Sequence, residues 1–122
     1  MRTLRINELN WAGGFFAGEG HFTGSRTKNH GTIFARVSQA YDTELLERFW
    51  ESVGCIGRVR SSELTSGHFG TGPMYMWQTN GFEKVQFIAA VLWPYIGEYK
   101  QEQYILALKK WRNCEKRVRH PL

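Results

Sequence analysis

From Asp42 to Gly54 the apolar residues Leu45, Leu46, Phe49 and Val53 return every three or four positions, the repeat that lines one side of a helix. The pattern predicts a helix over 43–53, with Asp42 as its N-cap and Gly54 as its stop. Upstream the period is two. Residues 21–29 and 32–40 alternate as strands, and Asn29–Gly31 supplies the turn of a hairpin. Ile33, Ala35 and Val37 fall on one face of the second strand, and Thr32, Phe34, Arg36 and Ser38 on the other. "GRVRSS" and "GPMYMWQT" read as a second hairpin, joined by the surface connection "ELTSGHFGT". A first helix is predicted from Glu8 to Glu19, capped by Asn7 and stopped by Gly20. A third, "GFEKVQFIAAVLWPYI", stops near Pro94, and a fourth runs from Glu98 to about Lys116 with Tyr104, Ile105, Leu108 and Trp111 inward.

The order helix, two strands, helix, two strands, helix, helix specifies an α+β fold with one four-stranded antiparallel sheet. Helices can cover only one face of that sheet without exposing their own apolar stripes. The bare face would carry Thr23, Ser25, Thr27, Thr32, Arg36, Ser38, Arg58, Arg60, Ser62, Met74 and Met76. These are mostly hydrogen-bonding and cationic side chains, suited to base edges and phosphates in a major groove. A merely solvated face interleaves Glu and Asp with such residues, and the strand segments contain none.

Composition narrows the class. With 122 residues, 42% of them hydrophobic, the chain makes one domain over 1–122 with a sizeable core. No apolar run reaches transmembrane length and no signal-peptide pattern opens the chain, so the reading is a soluble intracellular protein. Cys55 and Cys114 are too few for a metal knuckle and read as ordinary thiols. Residues 109–119 hold six basic residues and one acidic, a surplus equal to the +5 of the whole chain. This basic tail, about 112–122, fits a polyanion partner.

Within "NWAGGFFAGEGHF" four glycines, Gly13, Gly14, Gly18 and Gly20, interrupt a segment otherwise suited to a helix. A glycine inside a helix costs about 1 kcal/mol relative to alanine, so something must approach that backbone closely. Gly14 and Gly18 are four apart, and Gly13 with Ala17 repeats the spacing. Two copies could pair through this bare side, bringing two Glu19 carboxylates together as a hard-oxygen site suited to Mg²⁺.

"AGGFFAGEG", Ala12 to Gly20, resembles the LAGLIDADG motif of homing endonucleases, and the element order from about Glu8 to Trp111 resembles that family's half-domain. The resemblance implies a homodimer on a long, partly palindromic double-stranded DNA site, with each sheet saddle in a major groove and acidic residues binding divalent metal to hydrolyse one phosphodiester in each strand. Glu19 matches the motif's metal-binding acid, and Gly14 and Gly18 match its helix-contact positions, with Gly13 and Ala17 beside them. Gln39 resembles the polar residue near the cleavage-site waters, and Lys100 the basic residue beside the scissile phosphate. Ala17 stands where the motif has its first acid, and "YDTE", Tyr41 to Glu44, lacks the basic residue expected beyond Gln39. The resemblance also admits an intron-maturase-like RNA-binding protein without cleavage. A small self-associating interaction domain is the third reading, against which the acid-free strands stand.

Overall fold

The apolar stripes and alternating strands settle on opposite sides of one boundary, helices behind a sheet. The structure, a computed structural model, describes residues 4–62 and 73–119, with side chains through 61 and from 73 to 112. The elements are α1 (Ile6–Glu19), β1 (Gly20–Arg26), β2 (Gly31–Ala40), α2 (Glu44–Ser52), β3 (Arg58–Ser62), β4 (Met74–Asn80) and α3 (Phe82–Arg119). The predicted connection "ELTSGHFGT" and the side chains of the basic tail beyond Arg112 lie outside the described residues.

Several boundaries differ from the sequence expectation for local reasons. α1 starts earlier than Asn7 predicts, because the Leu9 N–H already bonds the Arg5 carbonyl at 2.9 Å and Arg5 is the N-cap. In α2 Thr43 is the N-cap, while the Asp42 carboxylate accepts the Glu44 N–H at 3.1 Å and the Thr43 hydroxyl donates to Glu47 at 3.0 Å. Leu46, Phe49, Ser52 and Val53 form the buried side of that helix. Leu45 sits on its flank, 41% exposed.

Pro94 does not end a helix. α3 continues through it and breaks at Gly97, whose φ of 84° lies in the left-handed region that glycine enters without steric penalty. At the break the Gln101 side-chain amide donates to the Trp93 carbonyl at 2.8 Å. The two predicted helices are thus segments 82–96 and 98–119 of one broken helix. On the second segment Tyr104 and Ala107 are buried, whereas Ile105, expected inward, is 43% exposed.

The sheet runs in the order β1-β2-β4-β3, with every neighbour antiparallel. Phe22, Ile33, Ala35, Val37 and Trp77 project from its helix side onto Phe16, Leu46, Phe49, Ile88 and Leu92. Phe49 meets Trp77 edge-on with ring centroids 4.8 Å apart, and the Trp77 indole N–H donates to the Ile56 carbonyl at 2.9 Å. α1 and α2 are tied by Arg48, which pairs with Glu8 at 3.0 Å and lies 3.9 Å over the Trp11 ring. The second segment of α3 covers the β1 edge, where Gln103 Oε1 accepts the Phe22 N–H at 2.8 Å and Gly24 allows the Ala107 carbonyl to close in. No helix among the described residues is long and apolar enough to cross a membrane.

Candidate nucleic-acid interface

Because strand side chains alternate, packing one face on the helices commits the other to solvent. The register lays that open face out in rows. His21, Arg36, Gln78 and Arg58 form one row across all the strands; Ser38, Met76 and Arg60 form the next, and Met74 pairs with Ser62 beyond it. Toward the other end come Thr23 opposite Phe34 and Asn80, then Ser25 opposite Thr32, whose hydroxyls are 2.9 Å apart. Ten of the residues expected on the bare face therefore occupy its positions, Ser62 by register alone. No Asp or Glu lies in any of the strands.

Thr27 is the exception. β1 ends at Arg26, and Thr27 closes the hairpin turn, its hydroxyl donating to the His30 carbonyl at 3.1 Å. Conversely, the alternation that selected Thr23 also selects His21, and that of Met74 and Met76 selects Gln78 and Asn80, none of which the sequence reading named. His21 is half-buried. Burial, then the nearby Arg36 and Lys100 charges, lower its pKa below the ordinary 6.5, so the imidazole is neutral at neutral pH.

The four glycines of α1 divide by what lies beside them. Gly13 was expected at a contact between copies, but it is buried within the chain: a Cβ there would overlap the Cβ of Tyr95 on α3. Gly20 is not a left-handed stop. It has φ −102° and begins β1 directly, and a Cβ would overlap the Phe16 ring. Gly14 and Gly18 have no atom within 4 Å of a built Cβ, and both are exposed. With Ile6 and Asn10 they form an open stripe along α1, which Ala17 borders half-buried.

Glu19, the last residue of α1, is exposed and makes no ion pair among the described residues. It is one residue from Gly20, which pairs with Val37, so Gln39 lies just beyond that pair on β2. Gln39 shares the helix-facing side with Val37 and is partly buried. Lys100 is also close. The second segment of α3 runs along β1, with Gln103 at Phe22 and Ala107 at Gly24, so Lys100, one turn before Gln103, is level with the start of the strand. Its Nζ is 5.5 Å from the Tyr99 ring centroid, and burial lowers its pKa from the ordinary value. Tyr41 occupies the place where a basic residue was expected; it is exposed, with φ 76°, in a tight turn closed by the Asp42 N–H on the Ala40 carbonyl at 3.0 Å.

An exposed, unpaired carboxylate is a suitable hard-oxygen donor for Mg²⁺. No group of three or more His, Cys, Asp or Glu side chains that could hold a metal assembles among the described residues. Glu19 thus fits as one oxygen donor to such an ion, and no cage of protein ligands surrounds it among the described residues. The helix end itself carries partial negative charge, which makes a carboxylate there unfavourable until a cation arrives.

No family model matches the sequence, and no curated protein does. Solved structures do. The homing endonuclease I-CvuI, crystallised with an uncleaved DNA target in the presence of Mg, superposes with TM-score 0.67 at 21% identity, covering 86% of this chain and 68% of I-CvuI. The LAGLIDADG meganuclease I-AabMI, bound to uncleaved DNA, gives 0.63 at 20% identity over 93% of this chain. The LAGLIDADG homing endonuclease I-SmaMI, bound to cleaved DNA, gives 0.62 at 18% over 89%. This chain spans only 38% and 37% of those last two.

Proposed function

We propose that this chain, which has the fold of the LAGLIDADG homing endonucleases, is a site-specific, Mg²⁺-dependent endonuclease that cleaves both strands of a pseudo-palindromic DNA duplex as a homodimer. The observation that carries the reading is the position of Glu19: an unpaired acid between the open Gly14/Gly18 stripe of α1 and the root of an acid-free sheet face. Two such half-domains joined through α1 would bring two Glu19 carboxylates to the junction and extend the two sheet faces to either side.

Each residue has a task in this reading. Glu19 holds the divalent ion, which when bound supplies Lewis-acid polarisation of the scissile phosphate and of a water. Lys100 offers a cation beside the departing oxygen as charge develops on it. Gln39 donates and accepts hydrogen bonds that orient water near the phosphate. Thr23, Ser25, Thr32, Arg36, Ser38, Arg58, Arg60, Ser62, Met74 and Met76 engage the groove, and Gly14 and Gly18 bring the two α1 helices together. Incubation with a randomised duplex library, with and without Mg²⁺, tests the reading. Paired breaks at one recovered sequence, dependent on the metal, are expected; sequence-selective binding without breaks in any divalent metal would reduce the protein to a binding module.

A further inference from the structure

On the open face one arginine is held far more tightly than the others. Arg36 stands on β2, an interior strand, with His21 of β1 on one side and Gln78 of β4 on the other. Its Nε donates to Gln78 Oε1 at 2.8 Å, and its guanidinium lies over the Phe34 ring, 4.7 Å from the centroid. Gln78 Nε2 in turn donates to Asn80 Oδ1 at 2.7 Å. The direction of this relay is forced. Arginine only donates, so Gln78 must turn its oxygen to Arg36 and its amide away, and Asn80 must then turn its oxygen to Gln78. The ring, the row neighbour and the relay together fix the plane of the guanidinium and use its Nε. Its two terminal nitrogens make no hydrogen bond among the described residues and remain as a fork.

Such a fork needs two acceptors side by side. In the major groove guanine offers O6 and N7 together, whereas adenine sets a donor beside its N7, thymine a methyl beside its O4, and cytosine a donor. Phosphate also accepts two hydrogen bonds, but phosphates border the groove, and Arg36 stands on an interior strand whereas the exposed Arg58 and Arg60 stand on the edge strand β3.

We propose that Arg36 reads one guanine in each half-site, with Gln78 and Asn80 as the positioning residues that aim it. The inference rests on the sheet face being the DNA surface. In binding selection from a randomised duplex library, the parent should return a consensus with a symmetric pair of guanines. Arg36→Met keeps the apolar stem on Phe34 and removes the fork; it should return the same consensus except at that pair, where discrimination falls about 5- to 140-fold per half-site. Gln78→Leu should relax the same pair alone, a change that a merely structural role for Gln78 would not produce, and unaltered circular dichroism and melting confirm that both variants fold. A consensus unchanged by Arg36→Met overturns the inference while leaving the DNA surface in place. So does a uniform loss across all positions with a shallower salt dependence, the mark of a phosphate contact. A parent that selects no sequence overturns the DNA reading itself, and this inference with it.

Discussion

Gly13 and Gly14 are neighbours in the chain, yet alanine at the two positions should act in opposite directions. At Gly13 the added Cβ would overlap the Cβ of Tyr95 and stand 3.1 Å from its carbonyl carbon and oxygen. None of these atoms can rotate aside, so α1 and α3 must move apart, an overpacking cost of about 1–3 kcal/mol. The better helix propensity of alanine offsets about 1 kcal/mol of it. The shift is resisted, because Ala12 and Phe16, on the same side of α1, are fully buried, and a net loss of about 1–2 kcal/mol is expected. At Gly14 or Gly18 no atom lies within 4 Å, so alanine there keeps the whole propensity gain, about 1 kcal/mol. A change of 1 kcal/mol moves Tm by about 3–5 °C in a domain of this size. Melting curves at high dilution should therefore fall for Gly13→Ala and rise for Gly18→Ala. Sedimentation at micromolar concentration completes the test: Gly18→Leu should give stable monomers, because a bulky side chain then separates two α1 helices. A Gly13→Ala protein as stable as the parent would refute the packing argument, and a parent that sediments as a monomer with and without DNA would remove the dimer.

Replacing Arg58 and Arg60 together by alanine should weaken binding to all duplexes alike and flatten the salt dependence by about 0.9 for each lost phosphate contact; unchanged binding would take β3 out of the interface. The Arg48 hydrogen bond is the main cause that holds the Glu8 carboxyl below its ordinary 4.5. A carboxyl lowered in the folded state stabilises fully above the ordinary value, and its contribution is lost as pH falls through the lower, folded one. Glu8→Gln should accordingly melt below the parent at neutral pH and converge with it in acid. A melting difference that persists unchanged in acid would assign the effect to something other than the ion pair.

What could be read in advance was what repeats. Leu46, Phe49 and Val53 announce α2, and the alternation of Ile33, Ala35 and Val37 against Thr32, Arg36 and Ser38 announces the two faces of β2, because each pattern is the direct record of one-sided burial. The place of Glu19 at the end of α1 was legible for a different reason, since it stands just before the glycine predicted to close that helix. Glycines were not separable by sequence. Gly13 and Gly14 look alike until Tyr95 is known to lie against one of them. The same limit explains Pro94, whose missing N–H the helix tolerates, and Gly97, where the chain turns left-handed and the Gln101 amide reaches back to the Trp93 carbonyl. Ile105 and Ala107 exchange roles because a close approach to Gly24 favours the small residue over the large one. Gln78 and Asn80 carry no periodic signal of their own; their relay to Arg36 exists only once β4 is paired with β2.

The central claim is that Glu19 carries the metal chemistry, and cleavage by Glu19→Gln tests it most directly. The substitution keeps the size and polarity of the side chain and removes the charge that a divalent ion requires. The parent and the variant should dimerise alike and bind the selected duplex with similar affinity, the variant more tightly where carboxylate–phosphate repulsion is relieved. Mg²⁺ added to the parent should produce breaks in both strands, and added to the variant should produce none. A variant that cuts the same duplex at the parent's rate would contradict the account and place the chemistry on other residues.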